Sequence, residues 1–146
     1  MVVPREQEIL DTDAIPDDIR QTAKSMGLFG YAIPQEWGGL GLDLTQDVEL
    51  AMEFGYTSLA LRSMFGTNNG IAGHVLLEGG TEEQKKRWIP GIADGSLTMA
   101  FAITEPDAGS NSHRITTTAR RDGSDWILSG QKVYISGVDQ AQAVLV

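Results

Sequence analysis

Cysteine is absent from the 146 residues, so no disulfide staples the fold and no thiolate can ligate a metal or act as a nucleophile. Basic residues are scarce. The 11 Lys and Arg face 20 Asp and Glu, a net charge of -9 that offers no basic stripe for nucleic acid and favours simple solubility. Any anionic substrate would have to be met by cations gathered locally. Long apolar runs are missing too: Gly, Glu or Lys interrupts each one well short of the roughly 20 residues of a membrane span. The opening MVVPREQE lacks the basic-then-apolar order of a signal peptide, and the chain reads as cytoplasmic. No repeat or low-complexity tract is visible. His74 lies in an apolar helical stretch with no second His beside it, so packing rather than metal binding is its reading.

What is present changes character near Leu97, from helical spacing to strand-like alternation, dividing the chain into 1–96 and 97–146. Met1 to Ile15 shows no sustained period and reads as an extended or weakly ordered lead-in. From Pro16, DDIRQTAKSMG opens with acids that suit a helix N-terminus and closes on Gly27, which predicts a helix. GLFGYAIPQEWGGLGLDL is too glycine-broken for either period and predicts an irregular loop pinned by Phe29, Tyr31 and Trp37. Asp43 or Thr45 can cap a following helix, whose Val48, Ala51, Met52, Gly55 and Tyr56 recur at helical spacing. Ser58 opens a further pattern with a glycine-rich centre, Gly66 to Gly70, that predicts two helices meeting at or bending around it. Thr81 and Gln84 form a capping-box pair, followed by Lys85, Lys86 and Arg87, with Pro90 just beyond; a short, surface-facing helix is expected there. The region to Asp94 thus reads as a small helical bundle whose apolar faces meet one another.

Beyond Ser96 the residues favour strands. Thr116 to Arg121 and Asp125 to Ser129 flank Asp122-Gly123, a pair suited to a tight hairpin turn. Lys132 to Ser136 reads as a third β segment, and Ala143 to Val146 as the beginning of another. A chain ending on VLV leaves a bare apolar strand edge, which suggests that this second part is incomplete. Between Met99 and Ser136 lies an apolar run, a loop built from Pro106, Asp107, Gly109, Ser110 and Asn111, and then more strand. Gly109 permits close backbone approach, Thr104, Ser110 and Ser136 offer hydroxyls, and Tyr134 offers a flat face. Such a set suits a planar, polar-edged ligand, although a plain surface loop would use the same residue types.

FAITEPDAGSN, then TTTA, a hairpin and GQKVYIS together resemble the flavin-binding middle region of acyl-CoA dehydrogenases. GLFGYAIPQEWGGLGL and GGTEEQKKRWIPGIADGS look like two further signatures of that family, in the expected order. The resemblance implies an α+β fold: an amino-terminal all-α bundle followed by the first strands of a β-barrel-like middle domain. It also implies truncation at both ends, and full-length relatives that are homo-oligomers, tetramer or dimer. The implied chemistry is dehydrogenation of an acyl-CoA thioester between its second and third carbons, with FAD as hydride acceptor.

By resemblance, Phe101, Ala102, Ile103 and Thr104 lie along the flavin pyrimidine edge. Gly109 and Ser110 sit near the diphosphate and thioester, and Tyr134, Ile135 and Ser136 back the ring. Tyr134 and Ser136 stand where many relatives have Trp and Thr, which keeps a flat face and a hydroxyl. Asn111, where Asp is common, and His113-Arg114 are larger departures; Arg114 suits either solvent or a coenzyme A phosphate. Arg62-Ser63 resembles pairs that meet a substrate carboxylate in the glutaryl-CoA branch, against a plain surface arginine. In relatives the catalytic glutamate comes from a carboxyl-terminal helical domain, and Glu105 matches a non-catalytic position. The expected state is therefore a family fragment without turnover and with weak FAD affinity. A non-catalytic binding fragment and an acyl-CoA oxidase or flavin monooxygenase relative remain as alternatives.

Overall fold

The computed structural model describes residues 2–146. A 3-10 turn at Val3–Arg5 leads into helix α1 (Glu6–Thr12), and α2 covers Asp17–Ser25. The expected unstructured lead-in is therefore corrected to a helix. Its signal is faint because α1 has seven residues and buries only Ile9. Glu6 and Glu8 suit its first turn, and Arg5 forks between Glu8 (2.7 Å) and Asp18 (2.6 Å), tying α1 to α2. Helix α2 forms as expected, with Asp17 and Asp18 in its first turn and Gly27 beyond its end at φ 73°. It buries Ile19 and Ala23, one turn apart.

The glycine-rich loop follows as expected, with 3-10 turns at Leu28–Gly30 and Gln35–Trp37. Phe29 and Tyr31 reach the core, while Trp37 packs half-buried at its margin. Gly39 cannot be replaced here without movement, since a Cβ on it would lie 2.0 Å from the Ile33 carbonyl oxygen. Asp43 caps α3 (Leu44–Phe54) in a full capping box with Gln46. The face of α3 turned inward differs from the expected one. Leu50 and Phe54 pack on the core, whereas Val48, Met52 and Tyr56 are exposed, Tyr56 at 78%. Both sets repeat at intervals of four, so helical spacing alone could not choose between them.

Helix α4 (Leu59–Gly66) and α5 (His74–Gly79) are the two helices expected around the glycine-rich centre, and a π-helical stretch, Thr67–Gly73, joins them without a break. Its widened turns present two buried asparagines outward. Asn69 accepts from the Ala32 N–H (3.1 Å) and donates to the Leu28 carbonyl (2.8 Å), which fastens the glycine-rich loop. Helix α6 (Glu82–Ala93) starts with the Thr81–Gln84 capping box but is neither short nor confined to the surface. Pro90 lies inside it, exposed, near the C-terminal end, where few helical bonds follow it, and Ile89 and Ile92 bury completely.

Two clusters form the core. The first gathers Phe29, Tyr31 and Leu61 around Phe65, whose ring meets Phe29 edge-on at 5.9 Å and Phe54 at 5.0 Å. The second joins Ile33, Leu76, Ile89 and Ile92 to Met99, the first residue of strand β1 (Met99–Phe101). Strand β1 pairs in parallel with β4 (Ala143–Leu145), Ala100 opposite Val144. The expected hairpin is present as β2 (Thr118–Asp122) and β3 (Asp125–Ser129), turning at Gly123 with φ 64°. Lys132 to Ser136 is not a strand. Tyr134 takes a left-handed φ of 58°, and only Val133 makes a strand-like bond, N–H to the Thr104 carbonyl at 3.0 Å. Lys132 is drawn off by the site described next.

Candidate functional site

Strand β1 continues past Phe101 with a further ladder bond, Ala102 N–H to the Leu145 carbonyl at 2.8 Å, and then turns into the 105–110 loop. Glu105 is the buried acid at that turn, 5% exposed. Its Oε2 accepts from the Thr116 N–H and hydroxyl, both at 2.8 Å. Its Oε1 accepts from the Thr117 N–H (2.9 Å), the Thr117 hydroxyl and the Lys132 ammonium (3.0 Å). The Thr117 hydroxyl above all, then the Thr116 N–H, hold this carboxyl far below the usual carboxylate range, against the opposing effect of burial. An ionised carboxylate occupied by five donors has no spare lone pair of high basicity, so Glu105 is a brace rather than a general base.

The brace decides where the expected ligand-facing residues lie. Lys132 also donates to the Ile103 carbonyl at 2.8 Å, so 103–105 and 132–134 run side by side although about thirty residues separate them. Phe101 and Thr104 are half-buried, Ala102 is buried and Ile103 is partly open. Ile135 is half-buried, Ser136 exposed, and Tyr134 stands 92% exposed. Among the described residues, the hydroxyls of Thr104, Ser110 and Ser136 make no hydrogen bond, unlike those of Thr116 and Thr117. A Cβ on Gly109 would meet nothing within 4 Å, so nothing in the fold itself demands glycine there.

A cleft of about 540 Å³ opens between α2, α4 and the 136–142 segment. Ser63 and Ser136 both line it, which brings an expected substrate residue and an expected flavin residue to one space. Arg62 does not line it. Its guanidinium folds back along its own helix, where a Cβ on Gly66 would lie 2.0 Å from Nη1. His113 and Arg114 occupy an exposed 3-10 turn, Ser112–Arg114, beside exposed Asn111, and His74 is exposed on α5. Among the described residues no group of three His, Asp or Glu could hold a metal ion. No helix among them is long and apolar enough to cross a membrane.

Sequence reasoning passed over Lys132, Thr116 and Thr117 as a set, and Asn68 altogether. The available signal was a lone glutamate inside an apolar, hydroxyl-rich stretch, since a buried carboxylate must find donors.

Against this geometry the comparisons are consistent. The model of the acyl-CoA dehydrogenase N-terminal domain matches residues 1–96, and that of the middle domain matches residues 100–146. The chain belongs to the acyl-CoA dehydrogenase family. It is 58% identical over 124 residues to the acyl-CoA dehydrogenase FadE12 of Mycobacterium tuberculosis, covering 85% of this chain and 32% of that protein. It is 36% identical to the (2S)-methylsuccinyl-CoA dehydrogenase of Cereibacter sphaeroides, over 85% of this chain and 22% of the relative. A glutaryl-CoA dehydrogenase of Mycobacterium smegmatis, solved in complex with FADH2, superposes with a TM-score of 0.89 at 30% identity, over 98% of this chain and 37% of that one. The chain spans about a third of the length of FadE12. The α+β class expected from sequence agrees with this likeness.

Proposed function

We propose that residues 1–96 are the helical domain, and 97–146 the start of the middle β domain, of a flavin-dependent acyl-CoA dehydrogenase acting in the cytoplasm. FAD, when bound, would accept the hydride from the C–H bond of the β-carbon of an acyl thioester, while a base takes the α-proton and the bond between the two carbons becomes double. On this reading the Phe101–Thr104 backbone faces the flavin pyrimidine edge, Gly109 and Ser110 lie by the diphosphate, and Tyr134, Ile135 and Ser136 back the ring. Ser63 meets the acyl group. The observation that carries the reading is the pairing of 103–105 with 132–134 across the Glu105 brace, with the Thr104, Ser110 and Ser136 hydroxyls unspent and Gly109 open. These donors fit a planar, polar-edged group.

The helical domain supplies the other half of the reading, because α4 carries Ser63 to the cleft that Ser136 also lines. On this reading the base that removes the α-proton lies outside these 146 residues, which the saturation of Glu105, the one buried acid among the described residues, supports. Full-length proteins of this kind would then be homo-oligomers, tetramer or dimer, with the second part completed by further chain. The flavin test is a fluorescence titration of the chain with FAD. Gly109→Ala and Ser110→Ala should leave the far-ultraviolet circular dichroism unchanged and weaken flavin affinity, whereas equal affinity in all three proteins contradicts the placement. The catalytic test is an electron-acceptor dye assay with a panel of acyl thioesters. No turnover is expected even with added FAD, and turnover abolished by a substitution within this chain would overturn the claim that the base lies elsewhere.

A further inference from the structure

Asp122-Gly123, which the fold uses as a hairpin turn, is one of three places where Asp or Asn precedes glycine; the others are Asn69-Gly70 and Asp94-Gly95. In each pair no side chain shields the glycine nitrogen, which can attack the neighbouring side-chain carbonyl carbon and close a five-membered imide. In an unfolded chain Asn69-Gly70 should react first, because a neutral amide accepts an attack that an ionised carboxylate repels. The fold reverses that order. Asn69 is 2% exposed and held from both ends inside the π-helical stretch, donating to the Leu28 carbonyl (2.8 Å) and accepting from the Ala32 N–H (3.1 Å). Asp94 accepts from the Ser96 N–H (2.7 Å), and the Gly95 N–H is spent on the Ile92 carbonyl (3.3 Å). Gly95 is also pressed against the core, since a Cβ on it would lie 2.6 Å from the Phe29 ring.

Asp122 is held by nothing comparable. Its side chain is 64% exposed, and the Arg120 guanidinium stands 4.0 Å away, beyond hydrogen-bond reach. Among the described residues neither the Asp122 carboxyl nor the Gly123 N–H makes a hydrogen bond; of this pair's turn groups only the Gly123 carbonyl is engaged, by Arg121 Nε at 3.2 Å. Open space surrounds Gly123, where a Cβ would meet nothing within 4 Å. We propose that Asp122-Gly123 is a self-modification site of the folded chain, at which Asp122 converts to an isoaspartyl residue that a carboxyl methyltransferase can recognise. The Gly123 nitrogen bonds to the Asp122 side-chain carbonyl carbon, and the amide proton and the carboxyl OH leave as one water. A second water then opens the imide at the main-chain carbonyl, so that the chain runs on through the former side chain and a free α-carboxylate projects from it. The backbone gains one methylene between Arg121 and Gly123. Every residue of β2 and β3 is exposed, so no buried contact opposes the lengthened turn. The cross-strand pairs nearest it, Asp122 with Asp125 and Arg121 with Trp126, are the ones displaced.

The experiment ages the 146-residue chain in neutral buffer made with heavy-oxygen water, once folded and once in urea, and maps the heavy oxygen by peptide mass spectrometry. Methyl transfer from S-adenosylmethionine by a protein isoaspartyl methyltransferase gives the second readout. In the folded chain the peptide carrying Asp122 should take up severalfold more heavy oxygen than those carrying Asn69 or Asp94, and the aged chain should accept methyl groups while its helical circular dichroism stays unchanged. In urea the Asn69 peptide should overtake it. Asp122→Glu, whose longer side chain closes no five-membered ring, should remove most of the methyl acceptance of the folded chain. Heavy oxygen that appears first at Asn69 in the folded chain, equal uptake at the three pairs, the same order in urea as in the folded chain, or methyl acceptance that survives Asp122→Glu would each overturn the proposal.

Discussion

The helical part and the strand-bearing part are held together by different physics. Up to Ala93, Phe29, Ile33, Phe65, Ile89 and Ile92 lose all contact with solvent, and their helices close their own backbone hydrogen bonds. In the hairpin β2–β3 every residue is exposed, Trp126 at 65%. Beyond the burial of Met99 against the helical core and of Ala100, Ala102 and Ala108, what fixes the second part is a set of polar fastenings. Asn68 on the π-helical stretch donates to the Leu97 carbonyl (2.6 Å) and accepts from the Met99 N–H (2.9 Å), giving the edge of β1 the two bonds a neighbouring strand would give. Gln142 does the same for Thr98, accepting its N–H at 2.7 Å and donating its own N–H to its carbonyl at 3.0 Å. Glu105 gathers Thr116, Thr117 and Lys132. Apolar burial is non-directional and tolerates small shifts, whereas a hydrogen bond fixes position. The residues proposed to face flavin are thus placed by the directional kind.

Breaking each kind of fastening should give different signatures. The largest loss is expected from Phe65→Ala, which empties the centre of the aromatic cluster; about 3–5 kcal/mol is typical for such a truncation, measurable by urea unfolding. Both parts should unfold with it, since β1 packs on the helical core. Asn68→Leu comes next. It strands the Met99 N–H and the Leu97 carbonyl, at about 1–3 kcal/mol for groups left unsatisfied. Its loss should appear first as faster amide exchange at Met99, while α2 and α3 keep their protection. Smaller again is Asp43→Ala, about 1 kcal/mol for a lost N-cap, confined to fraying of α3 as seen by circular dichroism and exchange at Gln46.

Features set within one turn were legible in the sequence. A cap at Asp43, the Thr81–Gln84 box, the stop at Gly27 and the Asp122-Gly123 turn all depend on residue types within one short stretch of chain, whereas the full Asp43–Gln46 box appears only in the structure. Helix α1 escaped notice because one buried residue, Ile9, cannot establish a period. The inward face of α3 was misread because Val48–Met52 and Leu50–Phe54 compete at equal spacing. The segment from Lys132 to Ser136 carries strand-favouring residues, but no strand edge receives it, and Lys132 is claimed by Glu105. Of the candidate site, the residue types at 101–110 and 134–136 could be read directly; their adjacency could not, because it depends on Glu105 meeting donors 11 to 27 residues away.

Acid adds a graded test of the same brace. The folded chain holds the Glu105 carboxyl below its ordinary value, so its contribution is complete above the unfolded value of roughly 4.3 and fades as pH falls below it. Chemical shifts at Thr116 and Val133 should therefore move toward those of a released loop between about pH 4 and the acid limit, with little change between about pH 6 and 8.

The most direct measurement of the difference between the two parts is amide hydrogen exchange at pH 7 on Glu105→Gln, which keeps the size of the side chain and removes its charge. If polar fastening places the strand-bearing part, protection should fall at Thr117 and Val133 while the amides of α4, the π-helical stretch and α5 exchange as before. Protection that falls equally in the helices, or that persists at Val133, would contradict it.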